Sequence, residues 1–259
     1  MCTSDLKSLL IDKGKYWATI IDDVIEKQSD INQVSMWADD ASEQMKIRME
    51  QDVLADFADK LLAASGSTQK YGNSAGRISG NVELGTEASP ISLVARNPGA
   101  SEVEIIDLIV RLGQVLDEQN IPESGRWLLL PAWVCAMIKR SELRDASLTG
   151  DGTTMLRNGR LGMIDRFTLY MSNLLPRFND TDNTPQLLPN DSTSPDYSGG
   201  AVTSDSEWVI LAGHKHGLTF ASQLTNVETL RAERQFGTVM RGLQVYGFEL
   251  LDYKSLAMA

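Results

Sequence analysis

Ser74 and His214 are the residues that could form a catalytic serine site. Gly72-Asn73-Ser74-Ala75-Gly76 matches the GxSxG pattern that presents a nucleophilic serine on a tight turn in hydrolases, and His214 lies downstream, where a general base could stand. That turn needs a buried strand before the serine and a helix after it. Here STQKY precedes it and RISGNVELG follows, both typical of loops. A glycine-rich loop is therefore the favoured interpretation, and a serine hydrolase is a distant alternative.

Metal and cofactor sites have weaker support. His214 and His216 are the two histidines, and on a strand both would lie on one face, but two ligands are too few for a metal centre. Asp180 and Asp182 begin like a calcium-binding loop, yet Pro185 stands where that loop needs glycine. Neither GxGxxG nor GxxxxGK[ST] occurs. We expect no metal, no cofactor and no enzymatic activity.

Bulk composition narrows the class of protein further. The chain has 259 residues, of which 35 are acidic and 24 basic, for a net charge of −11. This balance argues against a protein that grips nucleic acid through a basic stripe, and it predicts that copies of the chain repel one another at low ionic strength. The amino-terminal sequence lacks the pattern of a secretory signal and no apolar run reaches about 20 residues, so we expect a cytoplasmic protein without a membrane partner. Cys2 and Cys135 are too few and too far apart for a disulfide framework.

A long helix is predicted from Ser35 to Ala64. Ser35 can cap its start, and Gly66 follows its end. Apolar residues recur every fourth position along it: Trp37, Ala41, Met45, Met49, Val53, Phe57 and Leu61. Because a turn takes 3.6 residues, this row drifts by roughly 40° per step, so the buried face rotates along the helix. A strut that packs against different neighbours at its two ends and a plain core helix both fit this pattern.

Two shorter helices follow a loop-rich stretch from 65 to 100. Ser101 and Glu104 form a capping-box pattern before an apolar face that ends ahead of Pro122. Pro131 suits the first position of the next helix, which ends near Arg140.

Strands are predicted around these helices. Lys15 to Ile31 reads as a strand or extended ribbon, and further strands are expected at Trp127–Leu130, Ile164–Met171, Trp208–Ala212 and Val245–Tyr253. The segment Asn226–Arg234 has charges on both faces, which favours an exposed ribbon or interface strand. Residues 177–206 form a long polar loop.

Three stretches resemble the major capsid proteins of tailed bacteriophages, and they occur in the order found in that family. They are LDEQNIPESGRWLLLPAWVCAMI (116–138), NGRLGMIDRFTLYMSNLLP (158–176) and GLQVYGFELLDYKSLA (242–257). With the long helix, the resemblance extends over roughly residues 15 to 259. It implies the α+β Johnson fold, which consists of a peripheral domain on a long spine helix and an axial domain whose tips meet at capsomer centres.

On this sequence the resemblance implies a shortened amino-terminal arm or extended-loop ribbon (1–34), a peripheral domain (35–99) with the spine at 35–64, and an axial domain (100–225) carrying the loop 177–206. Residues 226–259 would return to the peripheral sheet. Family members assemble as hexamers and pentamers into an icosahedral shell in the host bacterial cytoplasm. Their partners are scaffold, portal and cement proteins and packaged double-stranded DNA. An encapsulin-like nanocompartment shares the fold and is the alternative.

A shell protein functions through its contacts, so the candidate residues are assembly residues and none is catalytic. We expect Tyr16 and Trp17 to anchor a contact between subunits, since exposed aromatic residues dominate such interfaces. The other candidates lie on the long helix and on the charged ribbon: Trp37, Met45, Met49, Phe57, Glu228, Arg231 and Arg234.

Overall fold

The structure is a computed structural model that describes residues 8–23, 28, 33–65, 82–85, 90–141, 162–175, 177–178, 185–186, 207–233 and 236–259. Within these ranges the chain forms three helices and thirteen strands. The helices are α1 (Gln33–Ser65), α2 (Ile105–Glu118) and α3 (Ala132–Arg140). The strands are β1 (Lys13–Asp22), β2 (Ser92–Val94), β3 (Glu102–Glu104), β4 (Arg126–Leu130), β5 (Met163–Ile164), β6 (Phe167–Met171), β7 (Arg177–Phe178), β8 (Pro185–Gln186), β9 (Glu207–Trp208), β10 (Leu211–His214), β11 (Leu218–Arg231), β12 (Gly237–Leu250) and β13 (Leu256–Met258).

The chain divides into two compact units. The first comprises Met1–Val53 and Leu218–Glu249, and the second comprises Leu54–Gly217 and Leu250–Ala259. Helix α1 contributes residues to both units. Peripheral and axial domains are defined by position in a shell, so the boundaries at 34, 99 and 225 stay predictions.

The long helix is present nearly as the sequence predicts it, from Gln33 to Ser65 instead of Ser35 to Ala64. Its burial changes along its length. Trp37 is exposed, Met45 and Met49 are half-buried, and Phe57 is buried.

The first unit is built on a three-stranded antiparallel sheet of order β1-β12-β11. Ten consecutive residue pairs join β1 to β12, from Lys13 opposite Tyr246 to Asp22 opposite Gly237. Burial alternates along β1, with the odd-numbered residues the more buried, as expected when successive side chains point to opposite faces. Asp52 of α1 joins the helix to this buried face, since it forms an ion pair with Lys15 at 2.6 Å and accepts a hydrogen bond from Tyr246 at 2.8 Å.

The second unit contains a five-stranded sheet of order β13-β10-β4-β6-β5. Strands β4 and β6 run parallel, and the other neighbours are antiparallel. Helices α2 and α3 bury their apolar faces in the core of this unit, where each fully buried aliphatic side chain contributes about 1.5–3 kcal/mol. The core includes Ile105, Leu108, Leu112, Leu116, Leu128, Leu130, Val134, Ile138, Phe167, Ile210 and Ala212. Two small sheets, β2-β3 and β8-β7-β9, complete the described strands.

The capping box expected at Ser101 and Glu104 is wrong. Residues 102–104 form β3, which pairs with β2, so Glu104 is extended and is itself the residue before the first helical turn. Its side chain makes no capping hydrogen bond to any residue that the structure describes. The strand pairing therefore overrides the local capping pattern.

The carboxyl-terminal strands divide between the two larger sheets. In the three-stranded sheet β12 pairs with both β1 and β11, whereas β13 pairs with β10 in the five-stranded sheet. The chain turns after β12 because the Asp252 side chain accepts a hydrogen bond from the Lys254 backbone N–H at 3.0 Å, closing a 3-10 turn that leads directly into β13.

Several sequence features lie outside the described residues: Ser74 and its glycines, most of the loop 177–206, and Arg234. None of the described helices combines the length and apolar character that crossing a membrane would require.

Candidate assembly surfaces

One face of the three-stranded sheet exposes apolar side chains. Tyr16 is 81% exposed and Ile20 is 54% exposed, and both lie on the even-numbered face of β1. Their antiparallel partners on β12 are Leu243 and Val239, which share that face. Tyr16 and Leu243 form one row across the sheet and Ile20 and Val239 another. The result is an apolar strip on the surface, as is common at protein interfaces.

Trp17 lies on the opposite face from Tyr16. It stands across from Gly242, and a Cβ atom on Gly242 would overlap the Trp17 indole ring. Glycine at this position therefore makes room for the indole. Tyr16 and Trp17 do not form one surface, and of the two only Tyr16 has its side chain largely in solvent. Their role in a contact between subunits stays a prediction.

The charged ribbon becomes part of β11, and two of its residues are paired within the chain. Glu228 accepts hydrogen bonds from Arg241 at 2.6 and 3.0 Å, and this guanidinium holds the pKa of the Glu228 carboxyl below its usual value. Arg231 donates to Asp23, with Nη1 and Oδ1 3.1 Å apart. Both pairs are exposed, so each contributes little to the stability of the fold and serves more to hold neighbouring chain segments in place.

The candidates on α1 separate into surface and core residues. Trp37 is 55% exposed near the start of the helix, whereas Phe57 is buried and contacts Trp127 edge-on with ring centroids 6.1 Å apart. Met45 and Met49 are half-buried between them. Trp37 is thus available to a partner, while Phe57 belongs to the core of the second unit.

Three exposed methionines lie elsewhere on the described surface. They are Met36 on α1, Met163 on β5 and Met171 at the end of β6, while Met240 and Met258 are buried.

Arg126 carries a buried charge that the sequence interpretation missed. Its side chain is 0% exposed, and it donates to the Ile121 carbonyl at 2.6 Å, to the Pro122 carbonyl at 3.0 Å and to Asp117 Oδ1 at 2.7 Å. Burial alone would raise the pKa of Asp117, but hydrogen bonds from Arg126 and Arg166 hold it below its usual value. The buried guanidinium fixes the connection from Gln119 to Gly125, which we call the α2–β4 loop.

A strained turn is attached to the same network. Asp165 and Arg166 form the two-residue turn between β5 and β6, and both have positive φ (43° and 67°). Such a conformation costs a non-glycine residue about 1–3 kcal/mol. Arg166 offsets part of this cost, since it forms ion pairs with Asp117 at 2.8 Å and with Glu123 of the α2–β4 loop at 3.0 Å.

His214 is buried and hydrogen-bonded. Its Nε2 lies 2.8 Å from the Ser124 carbonyl, and its Nδ1 accepts the backbone N–H of His216 at 3.3 Å. This pattern requires a neutral ring with the proton on Nε2. Burial lowers the pKa of His214. Because both nitrogens are occupied, the geometry does not favour His214 as a general base for Ser74.

The described residues contain no group of three or more His, Cys, Asp or Glu side chains that could hold a metal ion. Cys135 is a buried thiol in α3, and burial raises its pKa.

The sequence contains one indication that Arg126 is buried. It lies two and four residues before Leu128 and Leu130, so in a strand all three side chains point to the same, core-facing side.

Comparison with known proteins gives fold-level matches over the whole chain. No family model matches it, and neither does any curated protein. Among solved structures, a protein of Mycobacterium phage Che8 is 18% identical over 100% of this chain and 76% of its own length, with a TM-score of 0.62. A capsid chain of cyanophage P-SCSP1u is 14% identical over 98% and 76%, with a TM-score of 0.59. The SrpI encapsulin of Synechococcus elongatus PCC 7942 is 14% identical over 95% and 72%, with a TM-score of 0.50.

These matches confirm the fold class. The chain has the α+β Johnson fold of tailed-phage major capsid proteins, with a long helix and several sheets.

Proposed function

We propose that this chain is the major capsid protein of a tailed double-stranded DNA bacteriophage. Copies assemble as hexamers and pentamers into an icosahedral shell that holds the genome. The proposal rests on one observation: the whole chain, without a large unmatched segment, superimposes on a protein of phage Che8. The exposed apolar strip on β1 and the exposed Trp37 support it, because a shell subunit needs such surfaces for its neighbours.

Within the shell, α1 is the spine helix and the three-stranded sheet lies in the peripheral domain. The five-stranded sheet with α2 and α3 forms the axial domain, which faces the capsomer centre. No catalytic residue is assigned, since the function of such a subunit is geometric.

The partners follow from that role. The chain binds copies of itself in the shell, and scaffold, portal and cement proteins are further partners. Packaged DNA is contacted without sequence specificity, and with a net charge of −11 the contact is weak. The protein resides in the virion capsid and is assembled in the bacterial cytoplasm.

An encapsulin-like nanocompartment is the second candidate, because the SrpI encapsulin matches over 95% of this chain. The match to Che8 has the higher TM-score, 0.62 against 0.50, which favours the phage coat. The serine hydrolase is less favoured still, since its base would be the buried, fully hydrogen-bonded His214.

Electron microscopy of the purified chain tests the proposal. We expect closed icosahedral particles, and we expect particles isolated from infected cells to contain double-stranded DNA. Particles from uninfected cells that contain a cargo enzyme would identify the nanocompartment instead. A folded chain that stays monomeric under all conditions, with candidate partners added, would exclude both.

A further inference from the structure

We propose that the outer edge of β1 pairs with β1 of a second copy, so that two three-stranded sheets join into one six-stranded antiparallel sheet about a two-fold axis. Pairing of the strands needs only two copies of the chain. That this contact joins two neighbouring capsomers of a shell rests on the proposed function.

β1 is an edge strand among the strands that the structure describes, with β12 as its one neighbour there. Its ten residues pair with β12 in an uninterrupted register. Natural proteins usually protect an edge of this length with proline, a bulge or an inward-pointing charge. The charges on the buried face of β1, Lys13 and Lys15, are confined to its amino-terminal end. The central residues Tyr16–Ile21 contain neither proline nor charge, and they are rich in aromatic and β-branched side chains. An edge with these properties is a template for another strand.

The charges at the two ends of β1 specify how the second strand would lie. Lys13 and Lys15 stand at the amino-terminal end, and Asp22 and Asp23 follow at the carboxyl-terminal end. Antiparallel pairing of two copies places the basic end of each strand beside the acidic end of the other. Lys15 is already paired with Asp52 and Asp23 with Arg231 within the chain, so these ends favour the antiparallel over the parallel orientation and do not neutralise free charges.

One register satisfies both the charges and the faces of the sheet. A two-fold axis perpendicular to the sheet through Ala18 preserves the faces of both copies and places Ala18 opposite its equivalent. Tyr16 then lies opposite Ile20 of the second copy, an aromatic and β-branched pair that covers part of the exposed strip. Lys13 lies opposite Asp23, which keeps its pair with Arg231.

Neighbouring registers that preserve the faces are less favourable. A shift of two residues in one direction brings Asp12 opposite Asp22, which places like charges together, and the opposite shift brings Tyr16 opposite Asp22. The Ala18-centred register avoids both.

Thiol cross-linking tests this contact. In a Cys2→Ser background, the variant Ala18→Cys places two thiols on the axis, where facing Cβ atoms are about 4.5–5.5 Å apart. The matched control is Gly14→Cys on the same face, where an added Cβ meets its nearest atoms only at 3.9 and 4.0 Å. Two copies of this thiol would be about 27 Å apart across eight strand positions. The buried Cys135 is kept.

The probe is a short bifunctional maleimide, applied to material assembled under reducing conditions and analysed on a denaturing gel. We expect covalent dimers with Ala18→Cys and only background with Gly14→Cys. Particles that form normally but give no more dimer with Ala18→Cys than with the control would overturn the contact and leave the shell proposal intact. Specific dimers without any particles would support the contact and count against the shell proposal.

A charge variant gives an independent measurement. Ala18→Lys places two ammonium groups opposite each other on the axis, so we expect roughly fivefold weaker association at low salt, with partial recovery at high salt. Association that is unchanged by Ala18→Lys, in a variant whose circular dichroism is that of the parent chain, would also overturn the contact.

Discussion

Arg126 is the side chain on which the α2–β4 loop depends most. Replacing it with methionine keeps much of the apolar stem but leaves two carbonyls and the Oδ1 atom of Asp117 without their donor. We expect Arg126→Met to lower the free energy of unfolding by about 3 kcal/mol, measured by urea denaturation of the unassembled subunit.

Arg111 supplies the control for this prediction. It is a partly exposed arginine that forms an i,i+4 ion pair with Asp107 on α2. Arg111→Met should cost less than about 1 kcal/mol. Equal losses for the two variants would show that Arg126 contributes no more than an ordinary surface arginine.

His214 should make the free energy of unfolding depend on pH, and the direction of this dependence follows from its burial. Since burial lowers its pKa in the folded state, its contribution to stability is present above the unfolded value of about 6.5 and is lost as the pH falls toward the folded value. Three residues lie near the His214 ring: Arg126 on β4, and Lys215 and His216 after β10. All three disfavour a positive charge on His214. We expect the free energy of unfolding to fall as the pH drops below about 6.5.

The variants His214→Gln and His216→Gln separate this effect from general acid destabilisation. The first should flatten the pH dependence between about pH 6.5 and 5, because the buried titrating group is gone. The second removes an exposed neighbour of His214 but keeps the buried ring, so it should change the slope less than the first. A slope that persists unchanged in His214→Gln would contradict the assignment.

At the residue scale the sequence revealed types and spacing, but not environments. The segment Trp127–Leu130 predicted a strand correctly, yet nothing local shows that the preceding Arg126 belongs to the strand or is enclosed by carbonyls from a loop four and five residues upstream. The same holds for Tyr16 and Trp17. Their opposite faces follow from strand geometry, but which face is covered depends on packing with distant segments.

At the scale of elements, the contact between β1 and β12 depends on glycine. A Cβ at Gly242 would occupy the space of the Trp17 indole, so Gly242→Ala should destabilise the first unit by about 1–3 kcal/mol. Gly14→Ala on β1 is the matched control, since its surroundings leave room for a methyl group, and it should change stability by less than about 1 kcal/mol. Urea denaturation followed by circular dichroism distinguishes the two, and similar losses would refute the packing explanation.

Periodicity predicted the helices and most strands, because helix and strand formation along a segment leave a local pattern. The helices α1 and α3 and the strand β4 begin or end within two residues of their predicted limits. The pairing of strands joins segments that are distant in the sequence, so it was harder to predict. Pairing of β3 with β2 displaced the capping box expected at Glu104, and no local pattern shows that β13 pairs with β10.

At the scale of the whole molecule, the net charge of −11 should oppose the proposed assembly. A subunit with a charge of −11 repels its copies, and salt screens this repulsion over about 8–10 Å at physiological ionic strength. We therefore expect particle yield to rise between about 20 and 300 mM sodium chloride, as measured by sedimentation. A yield independent of ionic strength would contradict this prediction.

Identity of 14–18% with the phage proteins is too low to show more than a fold, yet the chain retains the fold over its full length. The apolar pattern of α2, α3 and β4 explains this, since a core tolerates many substitutions if pattern and volume are kept. Surface residues follow no such pattern, so the fold could be predicted from the sequence, while the assembly residues stay predictions.

The exposed and buried methionines allow the covered surface to be identified by oxidation. Peroxide converts accessible thioethers to polar sulfoxides, so Met36, Met163 and Met171 should react in the free subunit while Met240 and Met258 stay reduced as internal references. After particles form, any of the first three that becomes resistant lies beneath a neighbour. Peptide mass spectrometry would thus reveal which parts of the surface are covered, without introducing a single substitution.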